Sequence, residues 1–338
     1  MLFYGGIDLH SSNSYICVID DNDKRVFDRR LPNQLEQILM AFSPFKDNLK
    51  GIVVESTYNW YWLVDGLQEH QYSIKLANPA AIKQYEGLKF TDDSSDAFWL
   101  AHMLRLNILP QGYIYPKEDR GLRDLLRRRS MFVGQHTAQL LSLQSMIIRN
   151  TGIKMSGNAV SRLNIEDTQE MFSSPHLALM AQNNLESMVF LKSIIKRIET
   201  TVLAEAKLRK EFQLLLDIPG IGKILALTIM MEVGDISRFR NAGAYSSYCR
   251  CVQSRRETNG KKKGENNRKN GNKYLSWAYI EAANFMRRYC LSAQKFYQRK
   301  EAKANSILAT KALSNKIAKA SYYVIRDQVP FDVEKLFK

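Results

Sequence analysis

The chain has 338 residues, 45% of them hydrophobic and 25% charged, which suits a folded protein with more than one domain and excludes a disordered or low-complexity chain. No run of about 18 apolar residues is present and the N-terminus lacks the order of a secretory signal, so no membrane role and a cytoplasmic location are expected. The net charge of +15 instead points to a polyanionic partner.

In chain order, residues 3 to 31 give three β-like runs, "FYGGIDL", "SYICVID" and "RVFDRRL". A helix at "LEQILMAF" follows, then "GIVVEST" as a buried strand, because a short β-branched run bounded by glycine and polar residues suits the interior of a sheet. A helix around "NWYWLVDGLQEH", a strand at "YSIKLANP" and helices through "AAIKQYEGL" and "SDAFWLAHMLRLNIL" complete this part. Three antiparallel strands and then alternating strand and helix is the order of a ribonuclease H-like α/β domain, expected over residues 1–115. From about Pro116 the pattern turns helical. Residues 116–208 hold two long helix candidates, and in the second Leu185, Met188, Val189, Lys192, Ile195, Ile198 and Val202 share one face, apolar apart from the lysine. An antiparallel hairpin or an oligomerising coil would bury such a face.

The third region, 209–338, opens with "LLLDIPGIGKILALTIMMEVGD", an apolar helix, a tight turn at Gly220 and Gly222 and a second apolar helix. This is a helix-hairpin-helix-like pattern, whose turn amides can face a backbone phosphate; a plain turn between two core helices explains the same letters. Beyond it, eleven Lys or Arg residues between Arg238 and Lys273 face only Glu257 and Glu265, and a cluster so lopsided, broken by Gly and Asn, suits phosphate. Four sparse cysteines (Cys17, Cys249, Cys251, Cys290) and scattered histidines supply neither a disulfide framework nor a zinc set.

The acids pose the sharper question. Asp8 stands in an apolar strand, where an ionised carboxylate without a cation is expensive to bury, and Glu55 ends a strand expected in the middle of the sheet. In "DDSSDAFWLAHM", Asp93 and Asp96, or Asp92 and Asp96, place two carboxylates on one helical face. Each alone is explained by helix capping or by pairing with a lysine. Together, four hard oxygen donors suit Mg²⁺ or Mn²⁺, and two such ions about 4 Å apart can hold the attacking and leaving oxygens of a phosphoryl transfer. The opening letters also resemble the phosphate loop of sugar kinases and actin-like proteins, but His10 and Asn13 fill a turn that those proteins need small, and no later Asp-x-Gly-Gly segment is present.

"GIDLH", "VVEST", "DDSSDAFWLA", "IPGIG" and "NGKKKGENNRKNGNKYLSWAYIEAANF", in that order, resemble the DEDD transposases of bacterial insertion sequences (insertion sequence 110 and 1111 groups), which include the Piv-type DNA invertases. The resemblance implies a RuvC-like domain with Asp8, Glu55, Asp93 and Asp96 as its acids, Asp93 being preferred to Asp92 because "DSSDA" matches the family's D-x-x-D-A. It also implies a serine nucleophile in the C-terminal domain that holds a covalent phosphodiester. Relatives carry that serine immediately before "NGKKKG"; this chain departs from them with Thr258, and Ser254 is the other candidate. Threonine offers the same hydroxyl with an added methyl that crowds the attack.

Arg255, Arg256, Lys261, Lys262, Lys263, Arg268, Lys269 and Lys273 are the expected nucleic-acid contacts, joined by Gly220 and Gly222. The partners implied are donor and target DNA, a structured bridge RNA that guides target choice, and further copies of the chain in a dimer or tetramer, with association with the nucleoid when DNA is bound. Two other readings fit the same residues: a RuvC-like endonuclease that uses water as nucleophile, and a non-catalytic nucleic-acid scaffold.

Overall fold

The computed structural model describes residues 1–82, 92–206, 209–254, 256–265 and 270–338, with Lys262 by its backbone alone. The expected helix at 80–88 falls mostly outside them. The chain divides into two compact units, Met1–Lys117 and Glu118–Lys338.

The first unit is built on a mixed sheet. Its strands are β1 (Phe3–Leu9), β2 (Asn13–Asp20), β3 (Arg25–Pro32), β4 (Leu49–Glu55), β5 (Ile74–Ala77) and the short β6 (Gln111–Gly112). Their spatial order is β3-β2-β1-β4-β5-β6. β1 and β4 are parallel neighbours, as are β4 and β5, whereas β2, β3 and β6 run antiparallel to the strands they join. This is the ribonuclease H-like topology read from the order of elements; β6, only two residues long, carries no such signal.

Alternation along the strands fixes what each face buries. Ile7, Leu9, Ile16, Val18, Ile52 and Val54 pack against α1 (Leu35–Phe42) and α2 (Tyr61–Glu69). On the opposite face Cys17, Ile19 and Val53 meet α3 (Asp93–Arg105) through Ala97, Leu100 and Ala101.

Gly6 lets α3 come so close to the sheet. A Cβ there would lie 2.0 Å from the Ala97 carbonyl oxygen and 2.8 Å from the Ala101 nitrogen. Polar ties hold the helix at both ends. Arg25 and Asp28 of β3 bond Ser94, and Arg105 and His102 bond Asp23 in the β2–β3 turn.

The second unit is helical. Its long helices α4 (Lys117–Thr151) and α7 (Pro175–Ala206) form an antiparallel hairpin, with the short α5 (Gly157–Val160) and α6 (Ile165–Met171) at its far end. There Leu143, Met146 and Ile147 of α4 share a small core with Ala181 and Leu185 of α7. At the other end Leu122 and Leu126 join Ile198 and Val202 in the main core of the unit. Of the face expected on α7, Leu185, Met188, Ile198 and Val202 are buried, but Val189 is 70% exposed. The hairpin buries a narrower stripe than the letters offered.

Helices α8 (Lys210–Leu216) and α9 (Lys223–Val233) flank the glycine turn, and α10 (Ala242–Tyr248), the β7–β8 hairpin (Arg256–Thr258 and Lys261–Gly264), α11 (Lys273–Tyr289), α12 (Leu291–Lys303), α13 (Ser306–Asp327) and α14 (Val333–Phe337) follow. Cys17, Cys249 and Cys251 are free and buried. Among the described residues no helix is long and apolar enough to cross a membrane.

Candidate functional site

The expected acids of the first unit converge. The β1–β4 register pairs Ile7 with Val54, so Asp8 and Glu55 follow side by side at the C-terminal ends of neighbouring parallel strands. Alternation turns both to the α3 face, since Gly6 and Val53, two residues before them, lie on it. Asp96 immediately precedes Ala97, which rests on Gly6, and Asp93 stands one helical turn before it. A close helix–sheet contact thus delivers the helical acids to the strand acids.

Electrostatics record the crowding. Asp8 is 5% exposed, and burial above all, with Asp96 and Asp93 adding, raises its pKa to about 6 while His10 and Arg30 pull it back. Burial likewise pushes Glu55 up, followed by the charges of Asp8 and Asp96. Asp96 is raised by burial and then by Asp93 and Asp92, and its buried Oδ1 has no hydrogen-bond partner. Native proteins rarely leave a buried oxygen orphaned without a reason.

Asp92 and Asp93 separate cleanly. Asp92 is the N-cap of α3, accepting from the Ser95 amide at 2.8 Å. Hydrogen bonding from the Ser95 side chain, and then from its amide, holds the carboxyl below the usual range. Asp93 faces the cluster: its Oδ1 lies 3.3 Å from His10 Nε2, and its Oδ2 accepts from Arg30. His10 Nε2 is also 3.2 Å from Asp8 Oδ2, and Asp8, His10 and Asp93 offer three donor atoms within 4.8 Å of one another.

Sequence reasoning missed His10 and Arg30. The spacing of Asp8 and His10, two residues apart at the end of a strand, was the signal for the first. Arg30 sits on an exposed strand among other arginines and had none.

A cluster of anionic oxygens with an orphaned buried oxygen suits a divalent cation. The donors are predominantly hard carboxylates, as the expected Mg²⁺ or Mn²⁺ would require.

The basic segment belongs to the second unit. Thr258 is exposed at the end of β7, opposite Lys261 of β8. The two residues between them, Asn259 and Gly260, have φ of 52° and 70°, the left-handed pair that closes a two-residue hairpin. Arg256, Lys261 and Lys263 are exposed along it, Ser254 is half-buried on its approach, and Lys273 opens α11. Arg255, Arg268, Lys269 and the Lys262 side chain lie outside the described residues.

The base of this excursion is firmly tied. Arg250 Nε donates to the carbonyls of Asn270 (3.0 Å) and Gly271 (3.1 Å), and the Asn272 amide donates to the Tyr248 carbonyl at 2.6 Å. Asn272 Oδ1 caps α11 at Tyr274 and Leu275, while its Nδ2 donates to Glu232 at 2.7 Å.

Glu232, 3% exposed in the mostly apolar α9, also accepts from Arg127 at 2.6 and 2.8 Å and from Arg123 at 3.3 Å. Burial works to raise its pKa, but the Arg127 hydrogen bonds and the charges of both arginines hold it below the usual range. The sequence reading did not single out this acid.

Gly220 has a structural use: its φ is +90° and a Cβ would lie 2.4 Å from the Ala282 carbonyl, so the turn packs against α11. Gly222 faces open space at the N-terminus of α9.

The N-terminal fold defines the class, a RuvC-like nucleic-acid enzyme with acids where its two central parallel strands end. Residues 5–149 match the transposase model of the DEDD type of insertion sequence IS110, and residues 212–298 match the model described as transposase IS116/IS110/IS902 family. The chain belongs to the IS110 family of DEDD transposases and is a DNA transposase/recombinase. Membership implies DNA binding and the use of a divalent metal. No curated protein matches the chain.

Proposed function

We propose that this transposase is a Mg²⁺- or Mn²⁺-dependent recombinase in which Asp8, Glu55, Asp93 and Asp96 hold the metal and the Thr258 hydroxyl attacks DNA. The observation that carries the reading is the gathering of buried Asp8 with half-buried Glu55, Asp93 and Asp96, three of the four with raised pKa and Asp96 with an orphaned oxygen. Bound there, the metal supplies positive charge to the phosphate oxygens and to the leaving oxygen.

Thr258 Oγ1 forms a bond to phosphorus as one backbone P–O bond breaks, and the displaced DNA hydroxyl takes up a proton. A DNA hydroxyl later attacks the threonine phosphodiester, so that the strand is rejoined and Thr258 is released. Ser254 is the alternative nucleophile. Arg256, Lys261 and Lys263, with Arg255, Lys262, Arg268, Lys269 and Lys273, neutralise the surrounding backbone, and the turn at Gly220 and Gly222 adds a non-specific phosphate contact.

The same reading divides the chain into an acid domain (1–115), a helical connector (116–208) and a nucleophile domain (209–338). It extends to a bridge RNA that selects donor and target, a homo-oligomer as the working form, and a cytoplasmic, nucleoid-associated location.

Trapping the protein–DNA adduct in denaturant tests it. The wild type is expected to yield an adduct that disappears in Thr258→Ala. Cleavage that persists in Thr258→Ala without any adduct would mean an endonuclease using water. Function indifferent to Asp8→Asn would mean a scaffold.

A further inference from the structure

We propose that His10 completes the metal site as a nitrogen ligand, making it a mixed oxygen and nitrogen centre with a preference for Mn²⁺ over Mg²⁺. The inference rests on the metal reading above and adds to it a residue outside the four acids.

The backbone at His10 is held on three counts. Its amide donates to the Asn13 carbonyl at 2.9 Å, and its carbonyl accepts from Asn33 Nδ2 at 3.0 Å and from Asn59 Nδ2 at 2.9 Å. These groups come from β2, the end of β3 and the segment after β4, so the surrounding loops fix where the ring emerges.

The ring then places Nε2 3.2 Å from Asp8 Oδ2 and 3.3 Å from Asp93 Oδ1. Adjacent ligands of a six-coordinate ion with bonds of about 2.1 Å stand about 3.0 Å apart. Both His10 contacts therefore match the spacing of neighbouring ligands in such a coordination shell to within a few tenths of an ångström, and donor atoms of Asp8, His10 and Asp93 all lie within 4.8 Å of one another. The remaining acids also meet Asp8 electrostatically, since the Asp96 charge raises Asp8 and the Asp8 charge raises Glu55, so Asp8 is common to both sets.

The chemical consequence follows from ligand softness. Carboxylates serve Mg²⁺ and Mn²⁺ alike, whereas an imidazole favours a transition ion over Mg²⁺. His10 thus marks a difference in metal selectivity that four carboxylates alone would not create.

Pulsed electron paramagnetic resonance of the full-length protein with bound Mn²⁺ tests this without reference to activity. The wild type is expected to show nitrogen coupling from a directly bound imidazole. Labelling the histidines with ¹⁵N should convert that signal, His10→Ala should abolish it, and His136→Ala should leave it intact. Calorimetry should show Mn²⁺ affinity falling about tenfold in His10→Ala, with Mg²⁺ affinity changing less than about threefold.

Mn²⁺ bound in an Asp8-dependent way but without nitrogen coupling overturns the role of His10 and leaves the acid site standing. Absence of any Asp8-dependent binding overturns the acid site itself. Should His10→Ala fail to fold, the ¹⁵N-labelled wild type decides alone.

Discussion

Two settings for enclosed acid occur in this chain, one in each unit, and are built in opposite ways. In the second unit Glu232 is enclosed in an apolar helix and given partners: two arginines of α4 and the Asn272 amide hold its carboxyl ionised. In the first unit Asp8, Glu55 and Asp96 are enclosed with one another, their pKa values rise, and an oxygen of Asp96 is left unpartnered. The first arrangement is finished and holds helices together. The second is frustrated, and a cation would relieve it. That contrast separates a structural carboxylate from the proposed metal-binding ones better than burial does, since Asp8 and Glu232 are almost equally covered, at 5% and 3% exposed.

The largest expected effect comes from Asp8→Asn, which keeps the shape and removes the charge. Strand exchange should fall by about a thousandfold or more, as for loss of a group that holds catalytic charge. Stability of the metal-free protein should move the other way. A carboxyl with a raised native pKa keeps its proton where the unfolded chain has lost it, so the native state weakens as pH climbs from about 4 to about 6. Asp8→Asn removes part of that slope and should add about 2 kcal/mol at pH 7, read by denaturant unfolding without metal. Glu232 has the opposite sign: its contribution is present above the unfolded pKa of about 4.3 and is lost as pH falls through its lower native value.

Glu232→Ala should accordingly cost about 2–4 kcal/mol, because it removes the shared acceptor of Arg123, Arg127 and Asn272 and leaves two half-buried guanidinium groups without it. Urea unfolding of the full chain measures this. A loss below about 1 kcal/mol would mean that the pairing is screened by solvent, and the contrast between the two acid settings would lose one side.

Gly6→Ala tests how the first setting is assembled. The added methyl cannot occupy a point 2.0 Å from the Ala97 carbonyl, so α3 must shift. Overpacking of this kind costs about 1–3 kcal/mol. Because Asp93 and Asp96 ride on the displaced helix, metal affinity should fall along with stability, and calorimetry that found affinity intact would separate the helix–sheet contact from the site.

The strand acids were legible in the sequence because charge in an apolar, period-2 run is costly and conspicuous. Asp8 and Glu55 stood out on that ground, and the order of elements placed their strands at the centre of a sheet. The use of Gly6 was not legible, since a glycine in a strand has several uses and only the approach of Ala97 selects one. Glu232 escaped notice because its partners come from residues more than a hundred positions earlier and forty later, and no local pattern announces them. Val189 shows the converse: helical period put it on the apolar face, but the width of the buried stripe depends on what packs opposite. The short β7–β8 hairpin was legible only as a turn at Asn259 and Gly260, because its strands are exposed and charged rather than alternating.

The smallest expected effect belongs to Asp92, and it discriminates most finely. Asp92 and Asp93 are adjacent acids at one helix end, yet one spends its carboxylate on the Ser95 amide and the other turns to His10 and Arg30. Asp92→Ala should cost about 1 kcal/mol through the lost cap, visible as a lower melting temperature. Exchange, measured well below that temperature, should stay within about threefold of wild type. Removing the Asp92 charge also takes away one of the influences that raise Asp96, so protons should compete slightly less with metal there. Metal affinity near pH 6 should therefore hold or rise a little in Asp92→Ala and fall steeply in Asp93→Ala. Equal losses in both variants would mean that the first turn of α3 contributes through its total charge, and the division of labour between the two acids would fail.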